Sequence, residues 1–196
     1  MKWYSKAADQ GDADAQSGLG AIYHDGVGVP QNYAEAAKWF RKAADQGLGF
    51  AQYGLGRMYE HGEAVPQNYV EAMTWYRKAA DQGIALAQYS LGFMYFDGNG
   101  IPQDYAESVK WYSKAADQGD ARAQTSLGLM YENGLGVPQD YVQAHKWFNL
   151  SVARSPAGQM HDFGVKSRDS VASKMTPNQI AEAQKIAREW KPRVGQ

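Results

Sequence analysis

The chain contains no cysteine, which excludes disulfide bonds and thiolate metal sites. No apolar run approaches the roughly 20 residues of a membrane-spanning helix, and no signal peptide is visible. Basic residues do not cluster and the formal net charge is −1, which argues against binding to the phosphate backbone of a nucleic acid. The lack of cysteine leaves the compartment open, because many proteins of oxidising compartments also lack it.

Histidines and acids are present, but their spacing matches no catalytic or metal-binding motif. The four histidines are His24, His61, His145 and His161. His24 and His61 fall near the ends of neighbouring predicted helices, yet no further ligand completes a metal site. The sequence shows no Ser-His-Asp elbow, phosphate loop or dinucleotide fingerprint. We therefore expect no metal, no cofactor and no enzyme activity, and rank a hydrolase well behind a binding function.

Internal repetition dominates the sequence. Tryptophan recurs at a constant interval of 36 residues, at Trp3, Trp39, Trp75, Trp111 and Trp147. A fixed period of this length is typical of a solenoid of stacked supersecondary units. The predicted organisation is a half unit at 1–11, full units at 12–47, 48–83, 84–119 and 120–155, and capping helices at 156–196.

Each full unit is predicted to form a helix, a loop and a second helix. The first helix has one apolar face and ends at a glycine, as in Ala15, Leu19, Ile22, Tyr23 and Gly26. A proline then forces an extended link. The second helix is expected to begin with a capping box, at Asn32 and Glu35, Asn68 and Glu71, Asp104 and Glu107, and Asp140 and Gln143.

One glycine interrupts every first helix, at Gly20, Gly56, Gly92 and Gly128. Because an interior glycine costs about 1 kcal/mol relative to alanine, its recurrence indicates a packing requirement. We expect a neighbouring helix to place a bulky aromatic ring over each missing side chain.

After Ser155 the repeat pattern ends, and two further helices are expected. The first uses Met160, Phe163 or Gly164, Val171 and Met175 as its apolar stripe. The second opens with Thr176, Pro177 and Gln179, a strong helix start, and its stripe is Ile180, Ala183, Ala187 and Trp190. Such a pair is expected to cap the last repeat, whose apolar face would otherwise meet water.

The unit resembles the Sel-one-like repeat, a relative of the tetratricopeptide repeat with a longer internal loop, at Ala15, Leu19-Gly20, Tyr23, Gly26, Gly28-Val29, Ala36, Trp39, Ala43-Ala44 and Gly47. The resemblance covers residues 1–155, and the tail resembles the ending of bacterial members. It implies an all-α fold, a right-handed α/α superhelical solenoid whose first helices line the concave side. It also implies a scaffold or adaptor role, often in bacterial signalling, secretion or host contact.

The sequence departs from this family pattern in two respects. Some cysteine-rich secreted members have been linked to β-lactam binding, and this chain lacks their paired cysteines, so that activity is not carried over. Ala64 replaces the second loop glycine, so a slightly different loop is expected there.

The positions that vary between units lie on one face of the first helix, at the spacing i, i+3, i+7 and i+10. At about 100° per residue, these positions share the face opposite the repeated apolar one. The resemblance implies that they match the groove-lining positions of tetratricopeptide repeats, and a large apolar patch is typical of an interaction surface. The predicted partner-binding residues are Phe50, Tyr53, Arg57, Glu60, Leu86, Tyr89, Phe93, Phe96, Arg122 and Leu129.

Within this set the aromatic residues are expected to be anchors. Arg57, Glu60 and Arg122, together with Glu132 outside the set, are expected to form a polar rim. Two other interpretations stay open. In the first, the variable face is solvated and its residues differ between units only because no selection has kept them the same. In the second, Phe93 and Phe96 pack under the following helices as core.

These patterns predict a scaffold or adaptor that binds a protein or peptide on the concave face. The alternative is an architectural element that forms a homodimer through the amino-terminal half unit, where Trp3, Tyr4 and Ala7 lack a preceding helix. Because Met1 falls inside a repeat, we expect a fragment of a longer protein. The location is then cytoplasmic as the sequence stands, or periplasmic or secreted if an upstream signal peptide was removed.

Overall fold

A computed structural model describes residues 2–193, with side chains from Tyr4 onward, so the side chain of Trp3 lies outside the described residues. Every regular element in 2–193 is an α-helix. The helices are α1 (Lys2–Asp9), α2 (Ala13–Asp25), α3 (Tyr33–Asp45), α4 (Gly49–His61), α5 (Tyr69–Asp81), α6 (Ala85–Asp97), α7 (Tyr105–Asp117), α8 (Ala121–Asn133), α9 (Tyr141–Arg154), α10 (Gln159–Ala172) and α11 (Pro177–Glu189). The predicted fold class, an all-α solenoid of helix–loop–helix repeats, is confirmed.

The chain divides into two compact units. Unit 1 comprises Met1–Ala87 and Asn99–Ile101, and unit 2 comprises Gln88–Gly98 and Pro102–Gln196. The core of unit 1 gathers Phe40, Leu55, Met58 and Trp75, and that of unit 2 gathers Tyr112, Leu127, Met130, Trp147 and Leu150. No helix within 2–193 combines the length and the apolar character that a membrane crossing demands.

The helix starts follow the predicted caps in part. The side chain of Asn32 accepts a hydrogen bond from the backbone N–H of Glu35 at 3.1 Å, and the other second helices are capped in the same way by Asn68, Asp104 and Asp140. The reciprocal half of the box is replaced in α3, because the Glu35 carboxylate pairs with Lys38 at 2.7 Å. A complete capping box forms at Thr176 and Gln179 in α11.

The loop after each first helix needs two residues with positive φ. Gly26 and Gly28 supply them in the first repeat, with φ of 70° and 74°. Ala64 takes the second position with φ of 58°, so the expected change of loop conformation is wrong. The backbone keeps the left-handed geometry, at a cost of roughly 1–2 kcal/mol for a residue with a Cβ.

The interior glycines meet aromatic rings, as predicted. A Cβ built on each would lie 2.5–2.6 Å from a ring atom, with Gly20 facing Phe40, Gly56 facing Tyr76, Gly92 facing Tyr112 and Gly128 facing Phe148. A carbon side chain cannot approach that closely. Each first helix therefore lies against the aromatic ring of its own repeat only because glycine stands at this position.

A pair of glutamines joins the start of the first helix to the end of the second helix in each of the first three full repeats, and the accepting glutamine is buried. In these three pairs the side-chain amide nitrogen of one glutamine donates to the side-chain amide oxygen of the other at 2.8 Å, from Gln46 to Gln16, from Gln82 to Gln52 and from Gln118 to Gln88. In the fourth full repeat, Arg154 stands where the other repeats have the donor glutamine, and its guanidinium lies 4.4 Å from the ring centre of Trp190. The side-chain oxygen of Gln124 is buried and has no hydrogen-bond partner in the described part of the chain.

The two C-terminal helices form as expected, but one stripe is partly wrong. In α10, Gly164 and Val171 are buried, whereas Met160 and Phe163 are 42% and 47% exposed. Gly164 and Val171 are seven residues apart and share a face. Phe163 lies about 80–100° away from that face, and Met160 shares it but lies in the first turn of α10, at the end of the helix. In α11, Ala187 and Trp190 pack on the cluster that contains Trp147 and Leu150.

Candidate functional site

The predicted binding residues gather in two grooves, one in each unit. Groove 1, in unit 1, has a volume of about 230 Å³ and is lined by Ser17, Ala21, His24, Asp25, Phe40, Phe50, Tyr53, Gly54, Arg57 and Leu86. Groove 2, in unit 2, has a volume of about 130 Å³ and is lined by Tyr89, Phe93, Phe96, Tyr112, Ser126 and Leu129. Eight of the ten predicted residues line one groove or the other, and Glu60 and Arg122 line neither.

Two glycines hold the ring of Phe40 against groove 1. The ring would lie 2.6 Å from a Cβ built on Gly20 in α2 and 2.9 Å from one on Gly54 in α4. Because neither glycine carries a side chain, the ring fits between the two helices and lines the groove. Phe50, on the first turn of α4, is 60% exposed and adds apolar surface that water reaches.

His24 lies in groove 1 between two carboxylates. Its Nδ1 is 2.6 Å from Asp25 Oδ1, and its Nε2 is 3.0 Å from Glu63 Oε2. The ring also meets Tyr33 edge-on, with 5.3 Å between centroids. Glu63 belongs to the loop after α4, so this contact ties that loop to the end of α2. His61, by contrast, is exposed and does not pair with His24.

Groove 2 is built from stacked aromatic rings. The ring centroids of Tyr89 and Tyr112 are 5.6 Å apart. The guanidinium carbon of Arg122 lies over the Tyr89 ring, 4.5 Å from its centroid. Phe96 packs on Tyr105, with 5.6 Å between the ring centroids. Tyr112 is 2% exposed, and burial raises the pKa of its hydroxyl well above the ordinary value of 10.0, so it stays protonated.

The two phenylalanines of groove 2 are not fully buried. Phe93 is 40% exposed, and Phe96 is partly buried. A purely internal role would require both rings to be more than nine-tenths buried, and the exposure of Phe93 does not meet that condition. Phe93 therefore offers an accessible aromatic surface beside the more enclosed rings of Tyr89 and Phe96.

Most of the predicted polar rim is already engaged within the protein. The Glu60 carboxylate accepts a hydrogen bond from the Tyr76 hydroxyl. Arg122 donates to Asp120 at 2.7 Å, and Glu132 accepts from Lys174 at 2.9 Å. Arg57 differs, because it forms no hydrogen bond or ion pair with another described residue.

Sequence reasoning missed several lining residues. Phe40 and Tyr112 belong to the second helices, whereas all the predicted binding residues were taken from the first helices, and Asp25 lies just outside the chosen spacing. Gly54 and Ser126 occupy the same position in the second and fourth repeats, where a small residue opens the groove wall. The available signal was the glycine and aromatic pairing, which places a second-helix ring directly beneath the first helices.

The described residues also bear on metal binding and charge. Within 2–193, no three His, Cys, Asp or Glu side chains are grouped as a metal ion would require. His145 is buried in α9, where Asn149 lies 3.0 Å from its Nδ1. Burial, and to a smaller extent nearby Arg168, lowers the pKa of His145 below 6.5.

Several solved structures of bacterial proteins are similar to this chain. A Sel1 repeat protein from Oxalobacter formigenes is 38% identical with a TM-score of 0.73, over 84% of this chain and 47% of that protein. The protective antigen c5321 of uropathogenic Escherichia coli, which has an SLR fold, is 32% identical with a TM-score of 0.59, over 95% of this chain and 47% of that one. The chain thus spans about half the length of both proteins. An immunity protein, Pa5087 of Pseudomonas aeruginosa, is 22% identical with a TM-score of 0.53 and shows likeness of fold alone. Curated proteins give no match.

The family model described as Sel1 repeat matches five successive segments, at residues 1–12, 13–48, 49–84, 85–120 and 121–155. These segments cover well over half of the sequence, and their length agrees with the spacing of the tryptophans. Sel1 repeat proteins generally act as scaffolds for protein–protein interaction, and their solenoid fold is typically not catalytic. The chain belongs to the Sel1 repeat family.

Proposed function

We propose that this protein is a scaffold or adaptor that binds a protein or peptide segment on the faces of its first helices. In unit 1 the binding face is formed by α2 and α4 around groove 1, and in unit 2 by α6 and α8 around groove 2. The division into repeats at 1–155 and capping helices at 156–196 is part of this proposal, because α10 and α11 pack on α9 rather than adding to either groove.

The observation that carries the proposal is the exposure of large aromatic residues beside both grooves. Phe50 is 60% exposed and Phe93 is 40% exposed, and each sits next to rings that are held in place by packing. Aromatic side chains bury a large area and have few rotors to freeze, so they are frequent anchors of binding. Pre-packed surroundings lower the cost of binding further.

Charge supports a protein partner over a nucleic acid. The net charge is −1, and among the described lining residues of the two grooves Arg57 is the one lysine or arginine. A phosphate backbone is bound by clustered Lys and Arg. The carboxylates that recur at helix starts, such as Asp104 and Asp140, are occupied as caps, which favours binding over catalysis.

Self-association is a second candidate, favoured by one observation. Tyr4 on α1 is 52% exposed, while its ring rests against Gly18. Such a ring can serve as a contact for a second copy of the chain. Sedimentation equilibrium of the protein and of Tyr4→Ser would test this, because a dimer made through α1 should dissociate in the variant. An unchanged dimer would place the contact elsewhere.

A selection with a random peptide display library tests the main proposal. Peptides enriched on the immobilised protein are synthesised, and their affinities are measured by isothermal titration calorimetry. Phe50→Ala should weaken peptides bound at groove 1, and Phe93→Ala those bound at groove 2, by at least about 2 kcal/mol, as for anchor residues. Phe50 is 60% exposed and Phe93 is 40% exposed, so each change should destabilise the fold less than the loss of a fully buried ring would.

Phe163→Ala is the matched control, since Phe163 is 47% exposed on α10 and lines neither groove. It should leave every affinity unchanged. If the selected peptides bind both Phe50→Ala and Phe93→Ala as tightly as the parent, the first-helix faces are not the binding surface. Circular dichroism of each variant separates a loss of binding from a loss of structure.

A further inference from the structure

Groove 1 combines an apolar interior with one charge that has no partner. Ala21, Phe40, Phe50 and Leu86 supply the apolar lining, and Arg57 supplies the cation. Arg57 is partly buried, and within the described part of the chain it makes no hydrogen bond or ion pair. Holding a cation beside apolar surface without a counter-ion is unfavourable, so the groove is complementary to an anionic group.

The acidic residue in the lining of groove 1, Asp25, already forms a contact within the protein. Asp25 shares its Oδ1 with His24 Nδ1 at 2.6 Å, and Glu63 holds the other ring nitrogen of His24 at 3.0 Å. Neither carboxylate lies within ion-pair distance of Arg57. The cationic group that an incoming carboxylate would meet in groove 1 is therefore Arg57.

This charge is specific to one repeat. The residues at the same position of the other repeats are Ala21, Phe93 and Leu129. Groove 2 accordingly has Phe93 and Leu129 in its lining and contains no lysine or arginine among its lining residues. The two grooves thus differ in the partner chemistry that they favour, although the repeats that build them are closely similar.

The size of groove 1 limits what can enter. Its volume of about 230 Å³ is below the roughly 300–1,000 Å³ of pockets that hold drug-sized ligands. It therefore suits a single side chain better than a cofactor. A chain terminus is usually captured by several backbone N–H groups arranged as a nest, whereas groove 1 offers one guanidinium, which pairs well with a side-chain carboxylate.

We infer that groove 1 binds an internal peptide segment of a protein partner in which a large apolar side chain stands next to an aspartate or glutamate. The apolar side chain enters between Phe40, Phe50 and Leu86, and the carboxylate accepts hydrogen bonds from the Arg57 guanidinium. This inference rests on the proposed function and adds the chemistry of the partner. Arg57 is the residue that determines specificity.

The experiment uses the full chain and a random peptide display library as the probe. Selection is run in parallel on the parent and on Arg57→Gln. The parent should enrich sequences that carry an apolar residue within one or two positions of Asp or Glu, and Arg57→Gln should not. Enriched peptides are then synthesised with Glu or Gln at the acidic position, with an amidated terminus and with a free terminal carboxylate.

Replacing Glu by Gln in the peptide should lower affinity for the parent at least about fivefold, as expected for the loss of a charge-assisted hydrogen bond. The same replacement should have no effect on Arg57→Gln. Arg57→Lys should recover part of the affinity because it keeps the charge. Lys38→Gln removes one exposed positive charge of unit 1 outside the groove, and it should bind as the parent does.

The outcomes separate this inference from the proposed function. Peptides that bind without any acidic preference, and that Phe50→Ala or Phe93→Ala weakens, leave the proposed function intact and overturn the inference. A requirement for the free terminal carboxylate also overturns it, because the partner would then be a chain end. A library that yields no binder on any variant overturns both.

Discussion

Replacing Gly92 with alanine tests the close contact on which each repeat depends. A Cβ at this position of α6 would lie 2.5, 2.8 and 3.0 Å from Cδ1, Cε1 and Cγ of Tyr112, whereas ordinary contacts begin near 3.4 Å. Tyr112 is 2% exposed, so its ring is packed tightly and can shift only by displacing its neighbours. The helix and the ring must therefore separate by several tenths of an ångström.

Two opposing effects decide the magnitude. Alanine is better than glycine in a helix interior by about 1 kcal/mol. Overpacking a tight core costs about 1–3 kcal/mol, and three ring atoms in collision place this site at the upper end. The net effect is a destabilisation of about 2 kcal/mol. For a chain of this length, about 2–4 °C are lost per kcal/mol, so Tm should fall by about 4–8 °C.

Thermal and urea unfolding followed by far-UV circular dichroism measure this change. Gly164→Ala is the matched control, because Gly164 is a buried helical glycine whose Cβ would meet only Val152 Cγ2, at 3.0 Å. That single methyl group can yield, so the helix preference of alanine should leave Tm unchanged or slightly higher. If Gly92→Ala melts at or above the parent, the Tyr112 ring moves freely and the packing argument is wrong.

Three further changes have defined outcomes. Ala64→Gly should raise stability by about 0.5–1 kcal/mol in urea titrations, because it relieves a left-handed alanine; a loss would show that Ala64 is unstrained. Because the pKa of folded His145 is lowered from 6.5, the unfolded chain takes up the proton first. Stability should then fall as pH drops below about 6.5, by at most about 1.4 kcal/mol per unit, and His145→Gln should lack this component. Deleting 176–196 uncovers the surface of α9 beneath Trp190 and should cause aggregation or partial unfolding in size-exclusion chromatography; a monomeric, fully helical product would refute the capping role.

The repeated, local features of the fold could be predicted from the sequence. Helix ends follow from chemistry within a few residues, as with Asn32 at a helix start and Gly26 in the left-handed conformation at a helix end. The glycine and aromatic pairing was predictable because a costly glycine recurs four times at one position. Repetition helps in each case, since four copies of one arrangement separate a requirement from chance.

Which polar groups remain free was decided by tertiary structure alone. Glu60 looked like a rim residue, but the hydroxyl of Tyr76 on α5 engages it. Met160 and Phe163 looked like core, but Met160 lies in the first turn of α10 and Phe163 lies on another face than the one α10 packs on α9. These outcomes depend on partners outside the helix concerned. Its periodicity does not encode them.

The repeat, its helices and the face that varies between units could all be predicted from the sequence, because they depend on spacing along the chain. The tertiary structure decided that this face divides into two grooves, that Phe40 and Tyr112 from the second helices line them, and that Arg57 keeps an unpaired charge. The physical reason is that a groove is the space left between packed helices. Its shape and its free charges follow from side chains that meet across repeats.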